Sequence, residues 1–432
     1  MDADKLTPAQ FGRALLRFLH YTCKLRRQFP SNRLLITKVD FKSAYRRVHL
    51  KAKTALKSCT CTAGMLLVAL RMTFGGAPNP SQWSDISEVI TDLANDLVRR
   101  SDWDPAVWSA PQQELLRTSE AVDNNKGHVY PGDEFGKAFA MSVEDPVDDG
   151  LAKFECYLND LFGVFLARDE EKAEAVLPLA LHLAGRPVDE RAPESFPRDN
   201  FLAASKFLAE AKASERKTIL GWDVNTRSFK VSLPADKHMN WVNELRWLRF
   251  LPGRRAHAKE LETTIGRLNH AAYMVPNSRP FLGQLYRAIE RAQACGSVKL
   301  SDSQVADLLL WEVFLDAAAK GISINRLVFR WPTLIVRVGV CPQGMGGYGL
   351  QSGIACRLLL PPDWIGRGAL NCLEFLAALV RIWVEHQIGE PWVEDNVVLC
   401  QGDSSSATGW IARSSFGDEC PLHLARGRWH GT

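Results

Sequence analysis

The feature that most constrains this chain is a pair of carboxylates, Asp40 and Asp160, each placed at the edge of an apolar run rich in β-branched and aromatic residues. The first run is Leu34-Leu35-Ile36-Thr37-Lys38-Val39-Asp40. The second surrounds Tyr157-Leu158-Asn159-Asp160, with apolar residues on both sides. Such runs read as buried strands, and a tight hairpin at the second would push its tip residues into a cleft. Acids presented by two neighbouring strands supply the hard oxygen ligands that two divalent cations about 4 Å apart require. Either segment alone would read as a core strand with a surface acid. A third segment, Arg71-Met72-Thr73-Phe74-Gly75-Gly76-Ala77-Pro78, lies between them.

Taken in order, the three segments resemble motifs A, B and C of a reverse transcriptase, most closely those of retroelements of the DIRS kind. An aspartate followed five residues later by an aromatic, here Asp40 and Tyr45, matches motif A. The resemblance implies that Asp40 and Asp160 are metal ligands for Mg²⁺ (or Mn²⁺), and that Tyr45 is a steric gate excluding the 2′-hydroxyl. It also implies that Phe74, Gly75, Gly76 and Pro78 cradle the template base and the incoming deoxynucleoside triphosphate. Motif C is expected to read Tyr-x-Asp-Asp and here reads Tyr157-Leu158-Asn159-Asp160, so Asn159 stands where the first acid belongs. An amide is neutral, and its substitution for a shared ligand removes charge from a site that works by metal positioning. Asp160 is a poor substitute, because adjacent strand residues face opposite ways. Polymerisation is therefore expected to be strongly reduced or absent.

A fourth segment, Lys217 to Lys237, alternates apolar and polar residues around Asn225-Thr226-Arg227 and reads as a β-hairpin. It resembles the primer grip, carried by Leu220, Gly221 and Trp222. Beyond it, Trp241 to Arg291 holds nine Lys or Arg against four Glu. Trp241, Leu245 and Leu248 share one helical face and Leu261, Ile265 and Leu268 another, with Pro252-Gly253 between. This resembles a thumb whose basic residues, Arg246, Arg249, Arg254, Arg255 and Lys259 foremost, would track the phosphates of an RNA or DNA template-primer duplex. Ala175 to Gly185 reads as a helix packed under the sheet.

Two stretches depart from a complete polymerase. Only 39 residues precede Asp40, short for a fingers subdomain, with Arg26, Arg27, Arg33 and Lys38 the basic residues near the place of the triphosphate. The interval from Phe74 to Tyr157 is long and turns acidic between Gly132 and Gly150, which reads as a solvated insertion loop.

The C-terminal third reads strand (Thr333 to Val340), Gly-rich turn, strand (Ile354 to Leu360), helix (Asn371 to His386) and strand (Asn396 to Asp403). That order resembles a ribonuclease H-like fold, in which Glu374 and Asp403 match two of its metal-binding acids. Gly339 stands where the first acid is expected. The chain ends at Thr432, before the later helices of such a fold, so the domain reads as truncated.

The fold class expected is α+β: a polymerase palm, an antiparallel sheet with packed helices, a helical thumb, and a partial ribonuclease H-like α/β domain. The expected boundaries are 1–216 for partial fingers and palm with an insertion at about 100–150, 217–292 for primer grip and thumb, 293–324 for a helical connection, and 325–432 for the last domain. A chain of 432 residues, 46% of them hydrophobic, can bury two or three cores. Charges interrupt every apolar run near the N-terminus, and no window has the unbroken length of a membrane helix, so an intracellular protein without a membrane span is expected. The ten cysteines show no paired zinc spacing, Cys59 and Cys61 included, and read as reduced thiols. A net charge of +4 is only mildly basic. The functional expectation is a retroelement-derived, catalytically impaired RNA-directed DNA polymerase. The alternatives are a noncatalytic nucleic-acid-binding module or a nonfunctional element relic.

Overall fold

In the computed structural model the residues described are 11–76, 79–100, 102, 135–141, 152–185, 202–362, 370–388, 396–407 and 409. Chain contacts divide the protein into two units, Met1–Ala138 with Glu144–Lys230, and Phe139–Val143 with Val231–Thr432. Both units mix helices with mainly antiparallel sheet, an α+β architecture.

In the first unit the chain runs α1 (Ala14–Gln28), β1 (Leu34–Asp40), α2 (Ala52–Lys57), β2 (Thr60–Thr62), β3 (Met65–Leu67), α3 (Asn79–Arg99), β4 (Ala152–Tyr157), β5 (Asp160–Leu166), α4 (Glu170–Gly185), α5 (Ala204–Glu210), β6 (Arg216–Ile219) and β7 (Trp222–Asn225). Strands β1, β5 and β4 form one antiparallel sheet with β5 in the middle. Covered on both faces, β5 is apolar almost throughout, and its Gly163 is required: an added Cβ would lie 2.2 Å from the Phe154 ring on β4. Helix α3 buries Trp83, Ser87, Ile90, Ala94 and Leu97, the three- and four-residue spacing of one helical face. Its Asn95 closes the backbone of β4 by bonding both the N–H (2.8 Å) and the carbonyl (3.0 Å) of Phe154. Ala173, Val176, Leu177 and Ala180 of α4 join the same core, as the apolar run Ala175 to Gly185 requires.

The segment from Lys217 to Lys237 contains the hairpin read around Asn225-Thr226-Arg227, in which β7 passes through a turn at 226–229 into β8 (Lys230–Ser232), its neighbour in the sheet, and it adds a second, tighter hairpin ahead of it. Strands β6 and β7 pair with Ile219 opposite Trp222, so the tight turn is Leu220-Gly221. Both turn residues have positive φ (48° and 80°), as a two-residue hairpin turn demands, and a leucine there carries no turn signal in the sequence. The acidic interval differs in part. Phe135 lies under the guanidiniums of Arg26 (4.5 Å) and Arg227 (4.7 Å), and Gly136 sits where a Cβ would be 2.4 Å from that of Phe229. These two residues are packed; most of the remaining expected loop lies outside the described residues.

The division between the units falls inside β8 (Lys230–Ser232). The second unit continues with α6 (Ala235–Arg249), β9 (Arg255–His257), α7 (Ala258–Ala272), α8 (Gly283–Cys295), β10 (Ser297–Lys299), α9 (Asp302–Lys320) and β11 (Ile322–Ser323). Both apolar faces read from the sequence are buried, Trp241, Leu245 and Leu248 on α6 and Leu261, Ile265 and Leu268 on α7. Ser301 and Gln304 form a reciprocal cap that starts α9. The remaining strands, β12 (Leu334–Cys341), β13 (Gly344–Gly349), β14 (Ala355–Leu359) and β15 (Val398–Gln401), form a sheet in the order β14-β13-β12-β15, with α10 (Leu370–Ile388) on β12 and β13. Only β12 and β15 are parallel, and α10 lies between β14 and β15 in the chain.

Candidate active site

Asp40 and Asp160 face each other as the final pair of the β1–β5 ladder, and Tyr157 pairs with Asp160 across the β4–β5 hairpin. The hairpin turn is Leu158-Asn159. Leu158 has φ 54°, a left-handed conformation that costs a non-glycine residue about 1–2 kcal/mol. Two bonds hold it: Trp83 Nε1 donates to the Leu158 carbonyl (2.8 Å), and the Phe41 N–H donates to the Asn159 carbonyl (3.0 Å). The two acid-bearing strands and the helix that follows the Gly75-Gly76 turn thus meet at one hairpin tip.

The electrostatics of this pair depend on α5. Lys206 on that helix is ion-paired with Asp40 Oδ2, and Lys38 lies 3.5 Å from Asp160 Oδ1 and 3.2 Å from Glu210. Burial pushes the Asp40 carboxyl up, but the hydrogen bond with Asp160, the Lys206 contact and the Lys38 charge outweigh it and hold Asp40 below its ordinary value. Asp160 goes the other way, carried to about 7 by burial and by Asp40 against the pull of Lys38. Two close carboxylates cannot both ionise freely, so one proton belongs to the pair.

Asp40 Oδ1 is buried without a hydrogen-bond partner, which offers one hard donor to a cation. The rest of the set does not follow. The other Asp40 oxygen and Asp160 Oδ1 face ammonium groups, Asn159 is neutral, and among the described residues no group of three His, Cys, Asp or Glu side chains is arranged to hold a metal. The donors present therefore do not fit two divalent cations.

Tyr45, in a single 3₁₀ turn (Ala44–Arg47), is buried edge-on against Phe74 (5.2 Å) and Trp83 (6.2 Å). Burial first, and then Tyr157, push its hydroxyl pKa up. Phe74 itself is 75% exposed. Gly75 has φ 90°, and a Cβ on Gly76 would meet the Asn79 side chain at 2.5 Å; that side chain bonds back to the Thr73 carbonyl at 2.6 Å. Each glycine is thus needed for a separate reason. Pro78 lies outside the described residues. Trp222 is wholly buried, so of the three residues expected at a primer grip only the turn Leu220-Gly221 stands clear of the core.

The basic residues divide. Arg246 and Arg249 both bind Glu312 on α9 (3.1 and 2.7 Å), with Arg249 and Glu312 largely buried. Arg254 pairs with Asp302 (2.5 Å), and Arg255 bonds Ser297 Oγ at 3.4 Å. Lys259 is exposed. Arg26, near the place expected for a triphosphate, is buried instead: it donates to the Pro30, Asn32 and Thr226 carbonyls, and desolvation lowers its pKa to about 10.

In the second unit Glu374 and Asp403 come together. Burial, and then the Asp403 charge, raise the Glu374 pKa. Gly339 pairs with Gly346, and a Cβ added to it would meet nothing within 4 Å. Val338 and Val340 pack on the cluster containing Leu373 and Ala377 of α10, so strand alternation sets Gly339 on the other face.

Sequence reasoning missed Lys206 and Glu210, which enter the site from a seven-residue helix 166 positions after Asp40. A lysine and a glutamate four apart are an ordinary surface pair, so no local signal marked them. It also missed two exposed aromatic residues, Trp247 (49% exposed) between Arg246 and Arg249 on α6, and Phe250 (80% exposed) immediately after that helix.

No protein-family model matches the chain. No curated protein matches it. Solved structures resemble it. A foamy viral protease-reverse transcriptase in complex with RNA/DNA hybrid is 13% identical with a TM-score of 0.42, covering 90% of this chain and 42% of that one. A foamy viral protease-reverse transcriptase dRH in complex with ds DNA is 12% identical with a TM-score of 0.40, covering 93% of this chain and 55% of that one. A third, with dsDNA, has a TM-score of 0.37 at 13% identity and 65% coverage of its own length. The chain thus spans between two fifths and two thirds of these proteins. Likeness at this level says nothing about what this chain binds or catalyses.

Among the described residues no helix is long and apolar enough to cross a membrane.

Proposed function

We propose that this is a retroelement-derived, reverse transcriptase-like protein that binds a template-primer duplex and whose polymerase centre is impaired. The observation that carries this reading is the meeting of Asp40, the Leu158-Asn159 turn and Trp83 at one hairpin tip, beside Tyr45 and the Gly75-Gly76 turn. Its partners would be an RNA or DNA duplex, held through sequence-independent phosphate contacts by exposed basic residues such as Lys259, and deoxynucleoside triphosphates if any chemistry survives. Mg²⁺ or Mn²⁺ would be the ancestral cofactor of both acid sites. Residues 1–216 would be partial fingers and palm, 217–292 primer grip and thumb, 293–324 a connection, and 325–432 a ribonuclease H-like domain that lacks its first acid at Gly339. A DIRS-like origin belongs to the same proposal.

One observation favours a noncatalytic nucleic-acid-binding module within this reading: the two palm carboxylates are already matched by Lys38 and Lys206. The test pairs two assays on the full chain. Fluorescence anisotropy with a labelled RNA/DNA hybrid should show binding that weakens steeply with salt, and primer extension with Mg²⁺ should show little or no product. Absence of hybrid binding at low salt would end the proposal, and efficient extension would end the claim of impairment.

A further inference from the structure

Helix α5 is fixed to β1 at both ends. Before it, Leu202 bridges Phe41 and the Ala203 N–H donates to the Asp40 carbonyl (3.3 Å); after it, Thr37 Oγ1 donates to the Ala211 carbonyl (2.8 Å). Its backbone is therefore tied to the strand that carries both Lys38 and Asp40. From that position one turn of helix presents Lys206 to Asp40 and, four residues on, Glu210 to Lys38, which in turn faces Asp160. Two ion-paired arms result, Lys206–Asp40 and Glu210–Lys38–Asp160, which meet where Asp40 and Asp160 share a proton.

We propose that α5 acts as a cationic strap, with Lys206 and Lys38 occupying the place of divalent cations beside Asp40 and Asp160, so that this strap, and not Asn159 alone, closes the centre to Mg²⁺. The proposal rests on the reading of Asp40 and Asp160 as polymerase-palm carboxylates. A divalent ion entering here would have to displace Lys206 from Asp40 and shed its own water, which Mg²⁺ does reluctantly. Lys206 can be displaced without unfolding, since its side chain is 58% exposed while that of Asp40 is 3% exposed. Restoring a carboxylate at position 159 leaves that obstacle in place, whereas removing the ammonium group exposes Asp40.

The experiment counts Mn²⁺ bound to the full-length protein by electron paramagnetic resonance and repeats the titration with Mg²⁺ by calorimetry, in the absence of nucleic acid. Wild type and Asn159→Asp should bind at this centre only at millimolar concentrations. Lys206→Ala should bind Mn²⁺ at least ten-fold more tightly, and Lys206→Ala with Asn159→Asp more tightly again. Adding Asp40→Asn to Lys206→Ala should abolish the gain, which locates it at this carboxylate. Lys206→Gln gives a second neutral variant should Lys206→Ala fail to fold, and Lys206→Arg, which keeps the charge, should behave as wild type. Wild-type binding as tight as that of Lys206→Ala, or a full gain from Asn159→Asp alone, would overturn the strap. If the neutral variants gain metal while the protein binds no RNA/DNA hybrid, the strap stands and the template-primer reading falls.

Discussion

Trp83 donates its indole N–H to the carbonyl of Leu158, so the helix that follows the glycine turn holds the hairpin that presents Asp160. The bond satisfies the carbonyl of a residue in a costly left-handed conformation, and the indole is wholly buried against Phe41 (5.1 Å) and Tyr45. Trp83→Phe keeps most of the apolar volume and deletes the donor. We expect a loss of about 1–2 kcal/mol in urea denaturation for Trp83→Phe, and about 3–5 kcal/mol for Trp83→Ala, which also leaves a cavity. Equal losses in the two variants would show that the hydrogen bond does not hold the turn.

Asp160 is raised from 3.8 to about 7, while Asp40 is held below its ordinary value. A raised acid means that between about pH 4 and 7 the folded chain keeps a proton that the unfolded chain has released, so stability falls as pH rises across that window. Asp40 contributes in the opposite sense, and its share is lost only as pH falls below the ordinary carboxylate value. Denaturation midpoints should therefore decline from pH 5 to pH 7.5, by at most about 2.5 kcal/mol of stability from this residue across that window. Asp160→Asn should flatten the decline. An unchanged slope in that variant would assign the effect elsewhere.

Arg249 and Lys259 should separate structure from binding. Arg249→Ala strands the mostly buried Glu312 with one half-exposed partner, Arg246, and should cost about 1–3 kcal/mol of stability. Lys259→Ala touches no such contact, should change stability by less than about 0.5 kcal/mol, and should lower hybrid affinity with a shallower salt dependence. Anisotropy titrations at two salt concentrations decide. A Lys259→Ala protein with wild-type affinity and salt slope would remove that residue from the interface.

Gly339→Asp should be tolerated, because nothing lies within 4 Å of the new Cβ. The β12–β15 register pairs Arg337 with Gln401, and its continuation by two residues would set position 339 level with Asp403. Because strand alternation sets position 339 on the face away from α10, an aspartate there should not complete a site with Glu374: calorimetric Mg²⁺ titrations of wild type, Gly339→Asp and Gly339→Asp with Glu374→Gln should agree, and a gain in Gly339→Asp that Glu374→Gln removes would overturn that placement. Cleavage of an RNA–DNA hybrid by the unaltered protein, lost in Glu374→Gln, would show that Gly339 is no disabling change.

Much of the fold was legible because periodicity reports burial directly. The apolar runs around Asp40 and Asp160 are strands since both sheet faces are covered, and the spacing of Trp241, Leu245 and Leu248 marks a buried face because the helical repeat leaves no other solution. The order of strands and helix in the last domain was readable for the same reason. The Leu220-Gly221 turn was not, since a positive φ at leucine is imposed by strand pairing, against its local preference.

By itself the sequence determined which residues are strand, helix and turn around the two acids, that an amide stands at position 159, and that glycine stands at 339. Only the tertiary structure decided the charge state of the centre. Lys206 and Glu210 reach Asp40 and Lys38 because bonds at both ends of α5 bring a distant segment onto β1. It likewise decided that Arg26 and Arg249 are spent inside the protein. Charge pairing depends on distances of a few ångströms between residues far apart in the chain, and no local pattern encodes those distances.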